Sequence, residues 1–275
     1  MILADLIERA YKYNGVITAY VYGDFGYGKT SYALWTAHKV LGSWDKVLNY
    51  LFFDPKDAIK MMEKAIKCGE RMKVIIMDDA GLWLDRLTWW EKDKVEFMNF
   101  FNLIRSVSAG VIFTTPTQEL PKQIIRKCMF RVNVRPSNEE EIINVLGSEG
   151  LNDLKNTVRK YGLKEMFNVA IGYKLKTLPS FNELVRKEFY DFYPLHYPIH
   201  EDYEEKRRKA LRKYFELWKE SVEGGENVGR GEAYTLAKEL LKMGKSREEI
   251  VKELMKLGIP KATSYRWLNK LMNTL

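Results

Sequence analysis

The sequence has little of what secreted and membrane proteins require. It contains two cysteines, Cys68 and Cys128, without metal-ligand spacing or a disulfide framework, which predicts two buried free thiols in a reducing compartment. Apolar runs such as Val74–Met77 are far too short to cross a bilayer. The first nine residues lack a basic region followed by an apolar core, so we expect no signal peptide. These absences predict a cytoplasmic protein with no membrane partner.

The charge balance favours a polyanionic partner. Lysine and arginine number 45 against 37 aspartates and glutamates, a formal net charge of +8 over 275 residues. Neutralising phosphates releases counterions, so such a surplus draws a protein to nucleic acid. The alternative is the lysine-rich surface of a thermophilic protein, which the heavy use of lysine and glutamate also fits. Charge alone leaves both interpretations open.

Strands and helices alternate along the first half of the chain. Short β-branched or aromatic runs are separated by segments with helical spacing of apolar residues. The predicted strands are Val16–Tyr22, Val47–Phe53, Val74–Met77, Val111–Thr114 and Met129–Val134. This alternation predicts an α/β fold with a mainly parallel, doubly wound sheet.

A phosphate-binding motif follows the first predicted strand. Residues Gly23–Thr30 match the pattern GxxxxGK(S/T), in which glycines adopt positive φ and bring backbone N–H groups close to phosphates. The lysine reaches the β- and γ-phosphates, and the threonine hydroxyl ligates Mg²⁺. The motif therefore predicts ATP and Mg²⁺ as cofactors. The candidate nucleotide-binding residues are Gly23, Gly26, Tyr27, Gly28, Lys29, Thr30 and Ser31.

Two carboxylates follow the buried strand Val74–Met77. Ligands of open α/β sheets bind at the carboxyl ends of the strands, where Asp78 and Asp79 are predicted to lie. We assign Asp78, with Thr30, to Mg²⁺, and Asp79 to the attacking water as general base. The alternative is an acidic turn after a core strand. Thr114 and Thr115 end the next strand, where Thr115 is the candidate γ-phosphate sensor; the alternative is an ordinary strand residue.

Together these motifs resemble the additional-strand P-loop ATPases, which insert a strand between the P-loop strand and the acidic strand. The resemblance covers Val16 to Val134 and leaves two branches open. Phe100–Arg105 followed by Ala109–Thr115 looks like the FtsK/HerA group of DNA motors. The acidic pair and the stretch Thr114–Pro121 look like the DnaA/DnaC-like initiators and helicase loaders. Small ATPases of both kinds are common in archaeal viruses and plasmids.

Both branches imply a homo-oligomer whose sites are completed by an arginine of the neighbouring subunit. That arginine stabilises charge on the transferring phosphoryl group. The motor-like alignment implies Arg131, and the initiator-like alignment implies Arg126, which the acidic pair and the Thr-Thr-Pro loop favour. Arg105, before the strand that ends at Thr115, is a third candidate. The alternative for each is a surface or DNA-backbone contact.

The chain beyond Pro136 is predicted to form an extension and a small helical module. Helices are expected at Glu139–Leu146 and Leu151–Tyr161, and a strand at Phe167–Lys174. The highly charged helix Glu204–Glu220 is interpreted as a solvated surface helix. Glycines in Ser221–Gly231 predict a linker. The predicted domains are thus a P-loop core (1–135), a mixed α/β extension (136–220), a linker (221–231) and a helix-turn-helix domain (232–275).

The C-terminal module carries a helix-turn-helix pattern. A capping box at Ser246–Glu249 opens one helix, Gly258 ends it, and Ile259-Pro260 turns the chain into the next. Gly258–Leu271 resembles the recognition segment of resolvase/invertase-type domains, which implies duplex DNA as a partner. The module is basic, with nine lysines and arginines against five glutamates. Its DNA-contact candidates are Lys261, Thr263, Tyr265 and Arg266. The alternative is a helical docking or oligomerisation module.

These interpretations combine into one favoured function and two alternatives. The favoured one is an ATPase that oligomerises on DNA and remodels or moves it, in replication initiation and helicase loading or in DNA translocation and packaging. The first alternative is a DNA-binding regulator in which ATP controls assembly and hydrolysis only resets the switch. The second is a P-loop kinase, which rarely pairs such an acidic motif with a DNA-binding tail.

Overall fold

The structure is a computed structural model that describes residues 1–80, 99, 101–115, 122–177, 183–223, 236–241 and 245–272. The chain divides into two compact units, Met1–Arg207 and Arg208–Leu275. In sequence order the helices and strands up to the acidic pair are α1 (Ile2–Lys12), β1 (Ile17–Tyr22), α2 (Lys29–Leu41), α3 (Trp44–Val47), β2 (Leu51–Phe52), α4 (Pro55–Cys68) and β3 (Ile75–Met77). Then follow α5 (Ile104–Val107), β4 (Gly110–Thr115), α6 (Lys122–Lys127), β5 (Phe130–Ser137), α7 (Glu139–Lys160), β6 (Phe167–Thr177), β7 (Glu183–Pro194) and α8 (His200–Glu223).

The described strands form a seven-stranded sheet in the order β2-β3-β4-β1-β5-β6-β7. The pairs from β2 to β5 are parallel, whereas β6 and β7 add to the β5 edge as antiparallel strands. The predicted fold class is therefore confirmed: a mixed α/β fold with a mostly parallel sheet. Strand β4 lies between β1 and β3, which is the order that the additional-strand resemblance implies.

The core of the parallel part explains why its strands are continuously apolar. All three residues of β3 and all six of β4 are buried, as expected when helices cover both faces of a parallel sheet. Helix α4 packs its apolar side, including Ala58 and Met62, against this core. The helix is delimited locally by Asp54, whose side chain accepts a hydrogen bond from the N–H of Lys56, and by Gly69 in the left-handed conformation.

Several sequence predictions differ from the structure. The predicted strand Val47–Phe53 is mostly wrong, because a short helix and the 3₁₀ turn Leu48–Tyr50 precede a strand of only two residues. Val47 at the end of that helix and Leu51 in the strand are both fully buried, so helix and strand residues alike contribute apolar side chains to the core. Cys68, predicted to be buried, is exposed at the end of α4. The helices predicted at 139–146 and 151–161 join into α7, which is kinked where Gly147 leaves helical dihedrals (φ 74°, ψ 175°). Strand β7 was not predicted.

Helices of the second unit enclose a small core of their own. Residues 236–241 are helical and are followed by α9 (Arg247–Lys256) and α10 (Lys261–Met272). Buried apolar residues from the three segments, including Ala237, Leu254 and Leu268, form the core. Both hydrogen bonds of the predicted capping box at Ser246 are present. Of the predicted linker, residues 221–223 belong to α8, and residues 224–231 lie outside the described part.

Candidate nucleotide site

The P-loop has the backbone conformation that its glycines permit. Gly26 and Gly28 have φ of 79° and 74°, in the left-handed region where side chains are disfavoured. At Gly23 (φ 153°) an added Cβ would lie 2.5 Å from the carbonyl oxygen of Val134. Gly28 is the N-cap of α2, so the loop leads directly into a helix N-terminus, where unpaired N–H groups and the helix dipole favour anions.

Lys29 and Thr30 occupy the first turn of α2. The Lys29 Nζ donates hydrogen bonds to the carbonyl oxygens of Gly23 (2.9 Å) and Asp24 (2.8 Å), so the ammonium group lies across the loop. Burial lowers the pKa of Lys29, and among the carboxylates that oppose this shift Asp79 has the largest effect. The Thr30 hydroxyl donates to Asp78 Oδ1 at 3.0 Å. The loop and the acidic strand therefore meet at one site.

Asp78 is a fully buried carboxylate with several hydroxyl partners. Besides Thr30, the Thr114 hydroxyl donates to its Oδ1 and the Tyr203 hydroxyl donates to its Oδ2 at 2.7 Å. Burial raises the pKa of Asp78 and the charge of Asp79 adds to the effect, whereas the three hydroxyl hydrogen bonds oppose it. A carboxylate beside a threonine hydroxyl offers the hard oxygen ligands that Mg²⁺ prefers.

Asp79 has a strained backbone and a charged partner. Its φ of 49° lies in the left-handed region, which aspartate tolerates better than most residues and which is over-represented at functional sites. Its N–H donates to the Thr114 hydroxyl at 3.0 Å. Its Oδ2 lies 3.1 Å from Nη2 of Arg207 on α8. Thr114 thus contacts both acids, and the neighbouring candidate Thr115 is buried at the end of β4.

Side chains of the antiparallel strands β6 and β7 donate hydrogen bonds to backbone carbonyl oxygens of the P-loop. Asn168 on β6 donates to the carbonyl oxygen of Tyr27 at 2.7 Å, and the Tyr193 hydroxyl on β7 donates to that of Gly28 at 3.1 Å. A Cβ on Gly28 would lie only 3.0 Å from the Asn168 amide nitrogen, so position 28 must be glycine for Asn168 to approach the loop this closely. Sequence analysis missed both side chains, because no local pattern relates them to a loop more than 130 residues away.

We expect Asn168→Ala to weaken nucleotide binding about fivefold to tenfold, since the Tyr27 carbonyl oxygen keeps only the longer hydrogen bond from Tyr193 (3.5 Å) and a less ordered loop costs about 1–1.5 kcal/mol. Displacement of a fluorescent ATP analogue measures the effect. Asn156→Ala, on the exposed side of α7, is the matched control and is expected to bind as wild type does. Equal affinity of the two variants would contradict a supporting role for Asn168.

The first turns of α8 differ from the interpretation of Glu204–Glu220 as a solvated surface helix, whereas most of the described residues from Arg208 to Glu216 are exposed. Tyr203 is buried and bonds Asp78, and Arg207 one turn later bonds Asp79. Lys206 Nζ donates to the carbonyl oxygen of Leu48. These residues share one face at i, i+3 and i+4, a spacing that is visible in the sequence but hidden among many other charges.

Two candidate arginines for a shared site, Arg126 and Arg131, lie on α6 and β5. Arg126 is exposed on α6. Arg131 on β5 is half-buried, with its guanidinium 6.0 Å from the centre of the Tyr20 ring in the same chain. Their assignment to a neighbouring subunit stays a prediction.

The DNA-contact candidates of the second unit differ in exposure. Lys261 and Arg266 are exposed on α10, whereas Thr263 and Tyr265 are half-buried and Tyr265 packs against the core. Ser264 is fully buried, and its hydroxyl donates to the carbonyl oxygen of Pro260 at 3.2 Å. The buried side of α10 is therefore the one that carries Ser264 and Leu268, and the exposed side carries the two cations.

The glycine loop, the helix that begins at Lys29 and the acidic pair after β3 define a P-loop NTPase fold. No family model matches the chain. Two curated viral proteins are similar to it: the uncharacterized protein B-251 of Sulfolobus spindle-shape virus 1, 39% identical over 123 residues, and the uncharacterized protein ORF286 of Acidianus two-tailed virus, 27% identical over 142 residues. The matches cover 42% and 50% of this chain. The chain spans about half the length of these relatives, 49% in each case.

Solved structures with partial similarity include two archaeal or archaeal-virus proteins. The flagellar accessory protein FlaH of Methanocaldococcus jannaschii aligns with a TM-score of 0.31 and 14% identity, over 62% of this chain and 91% of that one. The genome packaging NTPase B204 of Sulfolobus turreted icosahedral virus 2, in complex with ATP-gammaS, aligns with a TM-score of 0.33 and 13% identity. That alignment covers 63% of this chain and 98% of B204.

Within the described ranges, no helix combines the length and apolar character needed to cross a membrane.

Proposed function

We propose that the chain is a Mg²⁺-dependent ATPase. The observation that carries this proposal is the meeting of the P-loop helix with the acidic pair: the Thr30 hydroxyl lies 3.0 Å from the buried Asp78, and Asp79 follows directly. A phosphate-binding helix N-terminus beside two carboxylates suits a polyphosphate and a divalent cation. The P-loop amides and Lys29 would bind the β- and γ-phosphates.

Thr30 and Asp78 are the residues that would hold Mg²⁺. Both offer oxygen ligands, and the hydroxyl already lies within hydrogen-bond distance of the carboxylate. When bound, the cation would neutralise charge that develops on the phosphate oxygens.

Asp79 would orient the attacking water and accept its proton. The water oxygen forms a bond to the γ-phosphorus while the bond from that phosphorus to the bridging oxygen breaks. The electron pair of the broken bond remains on ADP, and inorganic phosphate is the second product. This role is supported by the left-handed backbone of Asp79 directly after β3, and by its being the carboxylate that most opposes the lowering of the Lys29 pKa by burial.

We further propose that the second unit binds duplex DNA and that the chain oligomerises on it, so that ATP turnover remodels or moves the DNA. Support comes from the short turn at residues 257–260 that joins α9 to α10, and from the exposed cations Lys261 and Arg266 on α10. The exposed Arg126 is available to a neighbouring subunit, as a shared site requires.

If the second unit binds DNA through α10, removal of the exposed charges of that helix should weaken DNA binding more than removal of charges elsewhere in the unit. In the full chain, K261A/R266A is expected to weaken duplex binding and to flatten the slope of log affinity against log salt by about two, one for each lost phosphate contact. Basal ATPase activity should not change, whereas stimulation by DNA should be lost. Fluorescence anisotropy at several salt concentrations and a coupled ATPase assay measure these effects.

The matched control is K252A/K256A, which removes the same charge from exposed positions of α9. If both double variants lose affinity equally, net charge rather than α10 directs binding. ATP turnover that DNA does not stimulate, together with ATP-dependent assembly on DNA, would favour the nucleotide-switched regulator.

A further inference from the structure

Arg207 contributes a positive charge beside the acidic pair, and the reaction proposed above assigns it no role. Its Nη2 lies 3.1 Å from Asp79 Oδ2, and both side chains are only partly exposed (41% and 29%). Its Nε is buried and has no hydrogen-bond partner among the described residues. Arg207 is thus paired with the proposed base and keeps a further N–H donor without a partner among the described residues, which points to a second acceptor for this guanidinium.

The helix that carries Arg207 is held in place by other side chains. Tyr203, one turn earlier, is 3% exposed and donates to Asp78 Oδ2 at 2.7 Å, and its ring lies 6.1 Å from that of Phe53. Lys206 donates to the carbonyl oxygen of Leu48. These contacts anchor the backbone of α8 beside the acidic pair, so the guanidinium can exchange partners without displacement of the helix.

Asp79 interacts with two cations of the same chain. Its carboxylate bonds Arg207 directly, and it is the carboxylate that most opposes the lowering of the Lys29 pKa by burial. Because Lys29 is the P-loop lysine, a terminal phosphoryl group next to it would lie within reach of the flexible Arg207 side chain. A phosphoryl group carries more charge than a carboxylate and accepts bidentate hydrogen bonds from guanidinium, so it competes well for the arginine.

We propose that Arg207 is a ligand for the terminal phosphoryl group, supplied by the same chain, and that its ion pair with Asp79 is the resting state of the site. This inference rests on the proposed ATPase function. With ATP bound, Arg207 moves from Asp79 to the γ-phosphate oxygens, and the released carboxylate becomes free to accept the proton of the attacking water. ADP lacks the γ-phosphate, so the pair with Asp79 forms again after phosphate leaves.

The arrangement gives Arg207 two functions. It stabilises negative charge on the transferring group, and it keeps the base occupied until a triphosphate is present. The partner of Arg207 then depends on whether ATP or ADP is bound. Arg207 is the last residue of the first unit and lies on a helix that extends to Glu223.

The test compares the full-length wild type with R207A and R207K, with R208A as the matched control on the exposed side of α8. The affinities for ADP and for a non-hydrolysable ATP analogue are measured with Mg²⁺ by displacement of a fluorescent nucleotide, and kcat is measured at saturating ATP. R207A is expected to bind ADP as wild type does but to bind the analogue about tenfold more weakly, and its kcat should fall about a hundredfold or more. R207K keeps the positive charge but cannot donate the paired hydrogen bonds of a guanidinium. Its affinity for the analogue and its kcat should therefore lie between those of wild type and R207A.

Several results would overturn the proposal. One such result is that R207A does not differ from R208A in either measurement. Another is that R207A loses ADP affinity and analogue affinity equally, which would indicate that Arg207 only supports the fold. Thermal unfolding monitored by circular dichroism shows whether each variant is folded. If R207A does not fold, R207K is the variant that tests the proposal. A wild-type preference for the triphosphate together with a wild-type kcat in R207K would refute the phosphate contact. A wild-type protein that binds no nucleotide would instead refute the ATPase proposal itself, before any variant is considered.

Discussion

Lys29→Ala is expected to abolish detectable nucleotide binding. The substitution removes the charge opposite the β- and γ-phosphates, and it also removes the hydrogen bonds that the ammonium group donates to the carbonyl oxygens of Gly23 and Asp24. We expect the Kd for ATP to rise about a hundredfold or more, which corresponds to about 2.7 kcal/mol or more of binding free energy. Fluorescent-nucleotide titration and isothermal calorimetry measure this loss.

The control for Lys29→Ala is Lys39→Ala, which removes the same charge from an exposed position of the same helix. That variant should bind ATP as wild type does. Wild-type affinity in Lys29→Ala would contradict the assignment of Gly23–Ser31 as the phosphate-binding loop, whatever the behaviour of the acidic pair.

Asp79→Asn is expected to separate binding from hydrolysis. Asparagine has nearly the same size and also tolerates the left-handed backbone at this position (φ 49°), so the fold and the ATP affinity should be retained. The amide cannot accept a proton from the attacking water, so single-turnover hydrolysis should slow by about two to four orders of magnitude. Rapid-quench measurement of phosphate release, with ATP affinity measured in parallel, tests both parts.

Asp202→Asn removes a carboxylate from an exposed position on α8 and is the control. It should leave both quantities unchanged. Full turnover by Asp79→Asn would show that another group acts as the base, and a parallel loss of ATP affinity would assign Asp79 to nucleotide binding instead.

Local sequence patterns were sufficient where the chemistry is local. The loop Gly23–Thr30 needs glycines at positive φ and a helix start at Lys29, and all of these requirements lie within a few consecutive residues. The apolar strand before Asp78 was recognisable for the same reason, because a strand buried on both faces is continuously apolar. Alternation of strands and helices then predicted the mainly parallel sheet.

Local patterns were misleading where burial depends on the rest of the fold. Val47–Phe53 has the composition of a strand, yet only Leu51 and Phe52 pair in the sheet, because Val47 ends a helix and Leu48–Tyr50 form a 3₁₀ turn. Strand β7 mixes charged and aromatic residues, and its pairing with β6 rather than its own sequence establishes it. The charged helix α8 was interpreted as a surface helix because the sequence does not show which of its faces is covered.

The sequence by itself determined the phosphate loop, the acidic pair and the alternation that leads to the sheet, since each depends on dihedral preferences and on apolar spacing over short distances. Only the tertiary structure decided what surrounds them. Tyr203 and Asp78 are 125 residues apart, Arg207 and Asp79 are 128 apart, and Asn168 and Tyr27 are 141 apart. Such contacts arise because burial of the sheet and its helices brings distant polar groups together, and a buried carboxylate or carbonyl oxygen then needs a partner from whichever residue is adjacent.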